Sequence, residues 1–154
     1  MSRIMESSVK NRKVLFGLQP FSWNIPGYDF LESLREAFES SACEIIWLFR
    51  DRKPEGRGIF LDTVLCMTGE LADKPRQLLD AEERDLAVRR LSCRWGIAEA
   101  KAGLICNAVE GQFIRLLEGN TFDAFWAWNT CEPVMSIGKS VALRMGVPVF
   151  NLET

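Results

Sequence analysis

The sequence predicts an α/β protein: a Rossmann-like parallel sheet with helices on both faces. Three observations carry that expectation. Short, nearly unbroken apolar runs, such as Cys43–Phe49 and Phe122–Trp128, are of strand length, and the first is apolar on both faces. These runs alternate with longer stretches of helical periodicity, and strand–helix–strand at this spacing requires a right-handed parallel crossover. The chain of 154 residues, 47% hydrophobic and 26% charged, suits one domain around one core and excludes a disordered or low-complexity chain.

Residues 1–12 are polar and read as a flexible N-terminal arm, and residues 13–154 as a single domain. Lys13–Leu18 is an apolar run ended by Gln19-Pro20, the first and central strand. A loop follows over Gln19–Tyr28, and Asp29 can cap a helix through Leu31, Leu34, Phe38 and Ala42 that stops near Ser40-Ser41. Glu44–Phe49 is the second strand. The stretch Arg50–Gly58 turns basic around Pro54 and Gly56 and reads as an exposed loop; Ile59–Met67 is either a third strand or an irregular apolar segment. Pro75–Leu91 has the periodicity of an amphipathic helix whose charges form a solvated face. Ile97–Leu117 carries a broad apolar stripe suited to covering a sheet face, and Gly119-Asn120 stops it. Phe122–Trp128 is a strand, Pro133–Met145 a helix, and Gly146–Leu152 a turn and a further strand, which makes a second βαβ unit.

Composition removes several kinds of chemistry. The chain has no histidine, so Ser-His-Asp and Cys-His catalysis and His-liganded zinc are unavailable to it. A formal charge of −2 supplies no global field toward DNA, and nucleic acid is not an expected partner. No run approaches the ~20 apolar residues of a membrane span, so no transmembrane segment is expected. The arm has no apolar core of a secretory signal, and the expected location is cytoplasmic. The five cysteines lie 13 to 27 residues apart with no CxxC pair, which predicts free, mostly buried thiols rather than a disulfide framework or a metal site. Gly17 stands alone, and neither GxGxxG nor GxxxxGK[ST] occurs, so no dinucleotide or nucleoside triphosphate cofactor is implied.

Ligands of open parallel sheets bind where strands end and helices begin, which directs attention to the segments after Leu18, Phe49, Trp128 and Leu152. The first holds Gln19, Phe21, Ser22, Trp23 and Asn24. These either offer aromatic faces and amides to a sugar or base, or, for Phe21 and Trp23, plug the top of the sheet. Asn129 follows an aromatic strand, where its amide meets a ligand hydroxyl or closes a turn. Ser136, Gly138 and Ser140 lie on the opening turns of a helix, where free amides can face a ligand. The basic segment Arg50–Arg57 either meets an anion or is simply solvated. Of the acidic candidates Asp51, Asp62, Asp123, Glu132 and Glu153, the last is best placed, at the exit of a strand.

Two segments, Phe16–Pro26 and Asp123–Asn129 followed by Ala142–Glu153, together resemble bacterial capsular and surface polysaccharide biosynthesis proteins, in particular the Kdo-transferring glycosyltransferases. Trp128, Asn129, Ala142, Gly146, Val147, Pro148 and Glu153 match that family's Trp-Asn strand end and its A-x-x-x-G-[IV]-P step into a strand ending in Glu. The resemblance implies the N-terminal lobe of a two-lobed, GT-B-like enzyme, half of that arrangement, inactive alone. It implies a sugar nucleotide and a glycan acceptor as partners, with a second lobe or a homo-oligomer completing the protein. Glu153 then stands near the reacting centre, and Gln19, Trp23, Asn24, Asn129 and Ser136 bind substrate; no metal and no cofactor are implied. The alternative resemblance is to SLOG-like and deoxyribosyltransferase-like domains, which share the G-[IV]-P-V strand. The transferases place a catalytic Glu before an Ile-Gly pair, where this chain has Ser136 before Ile137-Gly138; what remains on that side is a non-catalytic nucleotide-derivative sensor.

Overall fold

The computed structural model describes residues 12–17, 33, 36–41, 43–49, 58–60, 76–128 and 132–152. Its elements are strands β1 (Arg12–Gly17), β2 (Cys43–Phe49), β3 (Gly58–Phe60), β4 (Ala124–Trp128) and β5 (Val149–Leu152), and helices α1 (Ala81–Trp95), α2 (Glu99–Gly119) and α3 (Pro133–Arg144). The strands form one five-stranded sheet in the order β3-β2-β1-β4-β5. Every neighbouring pair is parallel. The α/β, Rossmann-like arrangement expected from the sequence is what the chain adopts. Gly58–Phe60 joins the sheet as its edge strand; residues 61–67 of the same expectation lie outside the described residues.

Alternation along the strands sorts side chains to two faces. Leu15, Phe125 and Ala127 belong to the helical core, together with Leu91, Ile105, Val109, Phe113, Met135 and Val141 from the three helices. Phe113 of α2 meets Phe125 of β4 with ring centroids 5.9 Å apart. On the opposite face Trp126 lies 6.3 Å from Phe16 and 5.4 Å from Phe150. Phe38, from the helical residues 36–39, presents an edge to Trp126 at 5.3 Å. Helical residues therefore contact both faces, and aromatic pairs of this geometry add to the apolar burial. The turn after residue 39 falls at Ser40 and Ser41, whose N–H groups donate to Glu36 and Phe38 carbonyls.

Two glycines report how closely the helices approach the sheet and one another. A Cβ on Gly17 would lie 2.7 Å from Met135 Sδ, and one on Gly138 would overlap the Phe113 ring. Gly138 is thus a packing residue between α3 and α2. That corrects the expectation that it opens a ligand site.

Several boundaries differ from the sequence reading. Arg12 already belongs to β1, one residue inside the expected arm. The helix expected from Pro75 starts at Ala81 and runs on to Trp95. The start is fixed by a capping box, in which Asp80 accepts from the Glu83 N–H at 2.9 Å and Glu83 from the Asp80 N–H at 3.0 Å. The end is fixed by Gly96 at φ 62°, the left-handed conformation that closes helices. Strand β4 starts two residues late, after Asp123, which accepts from the Lys13 N–H at 2.8 Å and donates its own N–H to the Lys13 carbonyl.

Most charges of α1 are exposed, as expected of a solvated face, while Glu83 and Arg84 are half-buried and paired. Glu110 of α2 is fully buried. Its Oε1 accepts from the Leu78 and Leu79 N–H groups at 2.6 and 2.8 Å, and its Oε2 from Arg84 at 2.6 Å. Arg84 also donates to Asn107. Arg144, in the last turn of α3, reaches Asp80 at 2.6 Å and Glu83 at 3.0 Å at the start of α1. Arg90, near the end of α1, donates to Ser136 Oγ at the start of α3 at 3.0 Å. Contacts crossing start to end in both directions make α1 and α3 antiparallel.

Candidate functional site

The sheet order reverses between β1 and β4: one half of the strands extends outward as β2 and β3, the other as β5. Such a reversal opens a crevice at the carboxyl ends of the strands. Gly17 and Ala127 pair across this junction, so β1 and β4 deliver their following segments to the same edge. Of the expected site residues, Gln19, Trp23 and Asn24 follow β1, Asn129 follows β4 and Glu153 follows β5; all five lie outside the described residues, as do Phe21, Ser22, Asp51, Asp62 and the basic segment 50–57. Their side chains therefore enter no geometry here.

Helix α3 begins at this edge, directly after β4. Glu132 caps it, with a carboxylate that accepts from the Met135 N–H at 2.9 Å, and Pro133 takes the opening position, where no N–H is needed. The Ser136 N–H donates to the Glu132 carbonyl at 2.9 Å. The amides of Met135 and Ser136 are thus engaged in the helix and its cap, which corrects the expectation of free amides there. What Ser136 offers instead is its hydroxyl, half-buried and holding Arg90. Glu132 is a capping group, 4% exposed. Asp123 precedes β4 and so stands at the opposite, amino edge.

Because α1 runs antiparallel to α3, its last turns stand beside the first turn of α3 at the carboxyl edge. An open cleft of about 320 Å³ lies between them, lined by Arg90, Cys93, Arg94 and Pro133. Arg90 and Arg94 are exposed and four residues apart, hence on one helix face. Neither meets a carboxylate among the described residues. Among the described residues that line it, Arg90 and Arg94 supply positive charge and hydrogen-bond donors and none is a carboxylate, an arrangement suited to an anion. Both arginines escaped the sequence reading because they sit among the charges of an amphipathic helix. A signal was present: Arg89 has Asp85 four residues earlier and pairs with it at 2.5 Å, whereas Arg90 and Arg94 have no acidic residue three or four positions away.

The described thiols are free: Cys106 is buried, Cys43 half-buried and Cys93 exposed. Cys93 corrects the expectation of buried cysteines for that position. Burial pushes the Cys106 thiol up to about 11, and burial also raises Cys43, so both remain protonated near neutral pH. Among the described residues no group of three His, Cys, Asp or Glu side chains is placed to hold a metal ion. No helix among them is long and apolar enough to cross a membrane. Comparison with protein-family models, with curated proteins and with solved structures gave no match.

Proposed function

We propose that this chain is a glycosyltransferase-like lobe of capsular or surface polysaccharide biosynthesis that holds the sugar of a glycan acceptor at the carboxyl edge of its sheet. One observation carries the reading. The two segments with the family resemblance, separated by some hundred residues in sequence, include the carboxyl ends of β1 and β4, and these two strands are hydrogen-bonded neighbours at the reversal of strand order. The step from α3 to β5 adds to it: Gly146 takes φ 76°, and the Val147 N–H returns to the Ala142 carbonyl at 2.9 Å. The glycine of the A-x-x-x-G-V-P step is required there, since a side chain is strained at that φ.

In this reading Trp23 offers its ring to a sugar, and the amides of Gln19, Asn24 and Asn129 bind its hydroxyls. Glu153, next in the chain after β5, takes the role of a general base or orienting carboxylate, which falls to Asp or Glu in a chain without histidine. The nucleotide of the sugar donor binds on a second lobe or a second copy. The hydroxyl of Ser136, beside Arg90, favours one other reading, a non-catalytic sensor of nucleotide derivatives.

Calorimetric titration separates the two. A Kdo-terminated oligosaccharide is expected to bind saturably, and Asn129→Ala or Trp23→Ala to weaken it by about tenfold or more, the equivalent of one lost hydrogen bond or stacking contact. Absence of glycan binding, with mononucleotides binding instead, overturns the glycosyltransferase reading and leaves the sensor.

A further inference from the structure

We propose that the cleft between the last turns of α1 and the first turn of α3 is a binding site for a phosphoryl group, with Arg90 and Arg94 as its cations. The proposal goes beyond the glycan reading, with which it shares only Ser136. It rests on the arginines and the cleft they line, and four features of these converge.

First, the two guanidinium groups are on one helix face and line the same open cleft. Second, neither is neutralised: of the four arginines in α1, Arg84 and Arg89 have carboxylate partners at 2.6 and 2.5 Å, while Arg90 and Arg94 have none among the described residues. An oxyanion in the cleft that both line meets two forked, charged donors at once. Third, Arg90 is already oriented by Ser136 Oγ, which lowers the entropy lost when its fork closes on a ligand. Fourth, Glu132, the acidic group at the start of α3, is 4% exposed and its carboxylate accepts from the Met135 N–H, so it serves as a helix cap.

A cleft of about 320 Å³ is several times the ~30 Å³ share of one water molecule, enough for a phosphate and part of the group it esterifies. The planar, forked donors of two arginines match a tetrahedral oxyanion better than the hydroxyls of a neutral sugar. Inorganic phosphate, a sugar phosphate and a nucleoside monophosphate share this chemistry.

Cys93 lines the same cleft and is exposed, so its alkylation reports occupancy directly. The rate of modification of the Cys93 peptide by a neutral maleimide is read by mass spectrometry on the full chain, at constant ionic strength, with inorganic phosphate, glucose 1-phosphate, CMP or glucose as probes. At a probe concentration ten times its Kd the rate is expected to fall about tenfold. Glucose leaves it unchanged, and the double variant Arg90→Gln/Arg94→Gln abolishes the protection. Protection by inorganic phosphate alone identifies free phosphate as the ligand; stronger protection by glucose 1-phosphate or CMP identifies the phosphorylated sugar or the nucleotide. Ser136→Ala, which frees Arg90, weakens protection in part and serves as a milder second variant. The proposal is overturned if no phosphate probe slows Cys93, or if protection survives in the double variant. The calorimetric glycan titration, repeated on that variant, keeps the two readings apart, since loss of phosphate protection with glycan binding retained concerns the cleft alone.

Discussion

Helix α1 carries charge at both ends, carboxylates with Arg84 near its start and arginines alone near its end, in opposite arrangements. Near its start, charges pair between helices: Arg84 meets buried Glu110, and Asp80 and Glu83 meet Arg144. Near its end, among the described residues, Arg90 meets the Ser136 hydroxyl and neither Arg90 nor Arg94 meets a carboxylate. The first arrangement fastens α1 to α2 and α3 on the amino side of the sheet. The second leaves donors facing an open cleft on the carboxyl side, where strand order reverses. The contrast teaches that on this scaffold charge serves structure when it is paired between helices, and is available for binding where the pairing stops.

The largest effect expected from breaking that contrast is at Glu110. Glu110→Ala strips Arg84 and the Leu78 and Leu79 N–H groups of their acceptor, and urea unfolding should report a loss of about 3–5 kcal/mol, the cost of breaking a buried pair. Glu110→Gln keeps an oxygen for the two amides and should lose less. Gly138→Ala comes next: its Cβ overlaps the Phe113 ring, and overpacking at such a site costs about 1–3 kcal/mol in the same assay. A ligand role for Gly138 would instead lower binding with stability intact.

A smaller effect appears on acidification. The Asp80 carboxyl is held below its ordinary 3.8, first by the Glu83 N–H it accepts and then by Arg144. Because the folded value is the lower one, the stabilisation is fully present above about pH 3.8 and disappears as pH falls through the depressed value. Thermal melts of wild type and Asp80→Asn should therefore differ at neutral pH and converge as pH falls from 3.8 through that depressed value. The smallest effect is at the other end of the helix. Arg90→Ala/Arg94→Ala should leave stability within about 0.5 kcal/mol of wild type, as exposed unpaired side chains do; a larger loss would mean that these arginines are structural after all and erase the distinction between the two ends.

The strands were legible in the sequence because a parallel sheet buried on both faces needs continuous apolar runs, as in Cys43–Phe49. The start of α1 was misplaced because Leu78 and Leu79 extend the apolar periodicity upstream. Both are held there by Glu110, a long-range contact that no local pattern displays. The Asp80-x-x-Glu83 signature did mark the true boundary. Glu110 itself was hidden, since a single carboxylate inside the apolar stripe of α2 reveals its role only once Arg84 is beside it. Of the site, the edge could be located from strand–helix alternation alone, and the structure adds why β1 and β4 share it. The arginines of the cleft required knowing that α1 is antiparallel to α3, which depends on packing between segments some forty residues apart.

The working surface proposed for this chain is the carboxyl edge at the reversal between β1 and β4. Amide chemical-shift mapping during titration with a Kdo-terminated oligosaccharide locates it. Shifts are expected to cluster at the strand ends and the start of α3, at Gly17, Trp128 and residues 132–136, with Arg12 and Asp123 at the amino edge unmoved. Shifts centred on Arg12 and Asp123, or saturable binding that leaves Gly17 and Trp128 unmoved, would contradict it.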